Sequence, residues 1–360
     1  MSTVRTGIGG KRRSAALGLF TTISLALLLL VVGGAWSSAR AAGPALWIAT
    51  PSSGALGGLV ELRPHQLLAS GTPTKVKIEQ SIEPLANASG LAFQQNGSLW
   101  VCTLNNTVLK FTAAQLQNLA AVPLPAPRVT ITSSSFAFNI GCVLDAHGNL
   151  WVVDSMNDAI HEISRAQLVT ATLAGGTSNI TPAVTITDSN DLTSPSFAAF
   201  DSAGNIWVSS LSNSEMVEFS TSQLGTGGTQ TGHVVISGAS LNGPGQPQFD
   251  AAGNMWVTNS GNDTVVKFTP AQLAASGSPT AAAIIGDDGS GSLVTPWGLQ
   301  FDSLGRLWVF NYGTGASTAT TISMYGRGEL AVSGPSSPTP KITLSRLQPF
   351  AAQLTFGPRY

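Results

Sequence analysis

The sequence predicts an all-β fold, a six-bladed β-propeller of four-stranded antiparallel blades whose ring is closed by N- and C-terminal strands sharing one blade. Three observations predict it. Trp47, Trp100, Trp151, Trp207, Trp256 and Trp308 are separated by 53, 51, 56, 49 and 52 residues, and such periods with several short strands each suit propeller blades. One phrase returns around them: FQQNGSLWVCT from Phe93, LDAHGNLWVVD from Leu144, FDSAGNIWVSS from Phe200, FDAAGNMWVTN from Phe249 and FDSLGRLWVFN from Phe301. The unit around Trp47 lacks the strand and turn that precede the other tryptophans, while Leu354 to Phe356 form an orphan strand that can supply them.

Each unit divides the same way. A short apolar strand ends in a turn such as DAAGN, where Asp hydrogen-bonds the turn backbone and Gly supplies a positive φ. The second strand carries the tryptophan. A polar loop leads to a third strand such as DTVVKFT. A Gln-Leu phrase follows (TPAQL, TAAQL, SRAQL, STSQL, RPHQL), with Ser or Thr placed in most copies to cap one helical turn. A Gly/Ser/Pro linker then enters an alternating fourth strand, as in PRVTITS or PAVTITD.

Composition agrees. Hydrophobic residues at 43% supply a core, while Gly 39 and Pro 20 supply many turns. A formal net charge of −1 gives no basic field for a nucleic-acid partner. The N-terminus differs from the rest. Lys11, Arg12 and Arg13 precede an uncharged stretch, 15–35, and Ala39 and Ala41 form an A-x-A exit. Residues 1–41 therefore read as a signal peptide or, uncleaved, as an N-terminal membrane anchor. Both readings place the propeller, 44–360, outside the cytoplasm: secreted, periplasmic or on the cell surface. Membrane contact is expected only through that segment, and the propeller is expected to be a monomer. Cys102 and Cys142 fall on strands of neighbouring units, where a disulfide depends on geometry.

The unit P-x-G-L-x-F-D-x-x-G-x-L-W-V-x-N…V-x-K-F, best matched over 295–311 and 242–268, resembles NHL-repeat and streptogramin-lyase-like propellers. The resemblance covers essentially 44–360. It implies a six-bladed ring and leaves activity open, since such propellers include lyases, lactonases and interaction modules.

In that fold the channel mouth receives the starts of the inner strands and the ends of the second strands. The alignment sends Asn139, Asp154, Asn259, Trp297 and Asn311 there as candidate ligand-binding residues. Asp154 with neighbouring amide oxygens is also a candidate Ca2+ or Mg2+ site, because hard cations take oxygen ligands. The competing reading is that Asn and Asp simply end strands and fold the next loop. The resemblance implies a mouth histidine and glutamate in the lyases. Here His65, His147, His161 and His233 read as scattered surface residues, and no glutamate opens an inner strand. The expected function is a binding or scaffold module for a protein, glycan or small molecule. The alternative is a metal-assisted lyase or lactonase.

Overall fold

The computed structural model describes residues 44–51, 58–73, 77–79, 85, 87–118, 126–313, 320–339, 341–344 and 353–358. The signal or anchor segment, 1–41, lies outside the described residues.

Six sheets form, and the tryptophan strand is second from the inside in each. From inside outward, blade 2 runs Ala88–Phe93, Leu99–Thr103, Thr107–Phe111 and Val129–Thr132. Blade 3 runs Asn139–Leu144, Leu150–Asp154, Ala159–Ile163 and Val184–Thr187. Blades 4, 5 and 6 repeat the plan, with inner strands Pro195–Phe200, Pro244–Phe249 and Pro296–Phe301. In blade 1, Leu354–Gly357 lies inside Ala45–Thr50 and pairs antiparallel with it, Thr355 opposite Trp47. The inner strands touch one another in order around the ring and back to the first. Closure removes the two open edges that an unclosed array would present.

The D-x-x-G turn ties each blade to its tryptophan. In blade 5, Asp250 Oδ1 accepts the N–H groups of Ala252 and Asn254 at 2.9 and 3.0 Å. Its Oδ2 accepts Asn254 Nδ2 at 2.8 Å and the Trp256 indole N–H at 3.0 Å. Gly253 closes the turn at φ 78°, where a side chain would be strained. Asp145, Asp201 and Asp302 accept Trp151, Trp207 and Trp308 in the same way. The tryptophan ring then meets the phenylalanine of the next blade edge-on, as in Trp256–Phe301 at 6.2 Å between centroids.

The Gln-Leu phrase does more than cap one turn. Gln115, Gln167, Gln223 and Gln272 each accept the N–H of the Thr or Ser three residues earlier. Their amide N–H groups donate to the carbonyls of Ala126, Thr181, Thr231 and Thr280, just before the fourth strand. The glutamine is thus a clip that sets where the linker re-enters the sheet, and the leucine beside it is buried. In blade 3 the expected single turn extends to a ten-residue helix, Arg165–Ala174.

The linkers correct the four-stranded expectation. After leaving its own blade, each described linker crosses to the outer edge of the blade before. Gly176–Asn179 pairs parallel with the outer strand of blade 2, Gly228–Thr229 with that of blade 3, and Gly334–Pro335 with that of blade 5. Gly277 and Gly71 make single parallel bridges to blades 4 and 6. Three blades therefore hold five strands.

Cys102 and Cys142 are buried and free in this structure. Burial and the neighbouring Cys142 thiol push Cys102 well above the usual thiol range.

Candidate functional site

The second-strand ends gather at one end of the ring, as expected, but they are committed to the fold. Asp154 is fully buried. Its Oδ1 accepts the Phe138 N–H at 2.9 Å. Its Oδ2 takes the Ala137 N–H at 2.8 Å, Asn157 Nδ2 at 2.9 Å and His161 Nε2 at 3.3 Å. Burial raises the Asp154 carboxyl, but the bonds from His161, Ala137 and Phe138 outweigh it and hold the group below the usual carboxylate range.

Equivalent positions do equivalent work. Ser210 Oγ accepts the Thr193 N–H. Asn259 accepts the Asn242 N–H at 3.1 Å and donates to Ser240 O at 2.9 Å. Asn311 Nδ2 donates to Ser292 O, Thr321 Oγ1 and Ser323 Oγ. In each case the strand end fastens the loop that leads into its own blade. A second row of fasteners joins neighbouring blades. Asp158 accepts the Ser194 N–H at 2.8 Å, and Asp263 accepts the Thr295 N–H at 2.7 Å. Asp158 and Asp263 sit at positive φ, which short polar side chains tolerate.

Asn139 differs from these. It is fully buried, and neither amide atom has a protein partner among the described residues. Trp297 is 8% exposed and packs edge-on against Phe197 at 6.5 Å. Among the described residues, two glutamines join the inner strands of several blades. Gln353 reaches from blade 1 to accept the Leu91 N–H of blade 2 at 2.9 Å and to donate to Cys142 O of blade 3 at 3.1 Å. Gln246 reaches from blade 5 to accept the N–H groups of Leu299 and Leu354. Both glutamines are buried, and Ile140, Phe197 and Trp297 share one apolar cluster. The strands crowd together there: a Cβ on Gly141 would lie 2.6 Å from Ser196 O, and one on Gly245 2.5 Å from Trp297 O.

The histidine expectation needs correction at His161. His161 is buried, donates to or accepts from Thr185 Oγ1 at 2.9 Å, and stands beside Asp154. Pairing across antiparallel strands brings the two together, which the linear repeat does not show. His233 pairs with Glu218 at 3.0 Å on the opposite side of the ring. Among the described residues the donor set at the mouth does not fit a hard divalent ion, because the Asp154 carboxylate already holds four donors. Among the described residues no three His, Cys, Asp or Glu side chains converge on one point.

Three open clefts lined by described residues lie on the D-x-x-G side, between blades. One cleft of about 580 Å³ separates blades 2 and 3, one of about 670 Å³ blades 4 and 5, and one of about 510 Å³ blades 5 and 6.

The chain is a six-bladed β-propeller. No family model and no curated protein matches it. A protein of unknown function from Bacteroides caccae is similar in structure, with 10% identity and a TM-score of 0.57, over 87% of this chain and 99% of that one. A streptogramin B lyase is similar at 14% identity and a TM-score of 0.47, over 72% and 73%. A catalytically inactive virginiamycin B lyase from Staphylococcus aureus, with quinupristin, is similar at 14% identity and 0.47, over 79% and 85%. At such identities the likeness concerns the fold alone.

Proposed function

We propose that the chain is an exported propeller that works outside the cytoplasm as a monomeric binding or scaffold module for a small molecule, glycan or protein. The observation that carries this reading is the contrast between described mouth side chains committed to their own loops and open inter-blade clefts. The metal-assisted lyase or lactonase reading would need Asp154 to surrender donors that hold its loop. Export is supported by the basic, apolar and small-residue succession within 1–41.

A thermal-shift panel of small carboxylates, sugars, short peptides, Ca2+ and Mg2+ tests the reading, since a ligand of the native state raises the melting temperature by mass action. Stabilisation by an organic ligand and none by millimolar metal is the expected result. Stabilisation by metal alone, lost in Asp154→Asn, would overturn it.

A further inference from the structure

The junction between blades 2 and 3 breaks the repeat at two positions. Gln94 stands where the other turns have aspartate, and Leu144 where most neighbouring blades offer phenylalanine. The consequences are local and connected. Trp100 is fully buried, and its indole N–H meets no acceptor among the described residues. Gln94 Oε1 is likewise buried without a donor. Lys110 is 6% exposed and holds its ammonium 4.8 Å from the Trp100 ring centroid. It donates to Thr172 Oγ1 at 3.0 Å, and none of the ion pairs found among the described residues involves it. Burial, then the Arg128 charge, lowers its pKa, as a cation short of counter-charge requires.

Gln94 and Lys110 line a cleft of about 580 Å³ together with Leu144 and Arg165, while Trp100 lies beneath the Lys110 ammonium and outside that lining. Asp145 also lines it, but its oxygens serve its own turn, accepting His147, Asn149 and Trp151. The rim is apolar. Val169 and Leu173, one turn apart on Arg165–Ala174, are 49% and 76% exposed.

We propose that this cleft binds a monocarboxylate with an aliphatic tail. The carboxylate pairs with the Lys110 ammonium, in the place where the other blades keep their aspartate beside the tryptophan. The tail lies along Leu144, Val169 and Leu173. A buried cation without a carboxylate partner, beside exposed apolar side chains, matches one charged head and one apolar body. The inference rests on the binding-module reading and narrows it to a ligand class.

Titration calorimetry of octanoate into the full chain at pH 7 tests it, with octylamine as the charge-reversed probe. Saturable octanoate binding is expected, weakened at least tenfold in Lys110→Met and in Gln94→Asp. Gln94→Asp carries the test if Lys110→Met fails to fold, because it supplies the missing carboxylate and is expected to melt higher than the parent. Octanoate held by the apolar 15–35 segment would be indifferent to both substitutions. Absence of saturable heat, equal binding by both variants, or equal binding of octylamine would overturn the inference. If octanoate is silent while another organic ligand stabilises the chain, this inference alone falls. If no organic ligand does, the binding-module reading falls with it.

Discussion

Blades 5 and 2 build the same turn with different chemistry. In blade 5, Asp250 gathers two backbone N–H groups, the Asn254 amide and the Trp256 indole, and Trp256 meets Phe301. In blade 2, Asn96 takes the Ser98 N–H, and among the described residues the Trp100 indole has no acceptor, with Leu144 where blade 6 offers Phe301. The strands pair alike in both. Sheet register therefore does not depend on the aspartate. What the aspartate sets is whether the space beneath the tryptophan is closed by its own blade or left lined with unmet polar groups.

Acid should erase the difference most broadly. Asp154, Asp250 and Asp302 are held below the usual carboxylate range; burial opposes this in each, and hydrogen bonds prevail. A carboxylate depressed in the folded state contributes stability that is full above its unfolded pKa, about 3.9, and is lost as pH falls toward the folded value. Urea denaturation should thus show a constant midpoint from pH 7 to about 5 and a steep fall below about 4. A midpoint unchanged at pH 3 would contradict the depressed values.

Asp250→Ala comes next. It strands a buried indole N–H and two turn N–H groups, so a loss of about 2–3 kcal/mol is expected, against under about 1 for Gln94→Ala. Equal losses by denaturant titration would abolish the comparison. Gln94→Asp should gain about 1 kcal/mol by giving Trp100 an acceptor and Lys110 a counter-charge. A loss instead would show that the blade 2 turn cannot take the blade 5 geometry. Leu144→Phe should have the smallest effect, a gain of about 0.5–1 kcal/mol from an edge-on contact with Trp100. If crowding against Lys110 wins, the sign reverses, and the melting temperature reports which occurs.

The ring, its six units and the completion of blade 1 by Leu354–Gly357 were legible in the sequence, because the tryptophan period and the D-x-x-G turn are local signals. The two departures at blade 2 were equally visible, as FQQNGSLW against FDAAGNMW and as Leu144 against Phe249. Their meaning was not, because Gln94 and Leu144 matter through Trp100 and Lys110, and only stacking the blades brings these together. The mouth shows the same limit. Asp154, Asn259 and Asn311 were correctly sent to strand ends. Their partners come from loops 17 to 19 residues away, however, and no period announces those loops. Gln246 and Gln353 escaped notice for a related reason: each is an isolated polar residue whose bonds join strands 53 to 262 residues apart. The linker straps were hidden because parallel pairing with the preceding blade leaves no alternation in sequences such as GTSN or GT.

The pairing of Ala45–Thr50 with Leu354–Gly357 also fixes an order of events. The first tryptophan strand emerges about 300 residues before its neighbour exists, so during synthesis it waits with one flank bare. Five units can assemble in that interval, yet the belt cannot be buckled. A nascent chain stopped before Leu354 would be an open crescent, a natural target for chaperones and proteases.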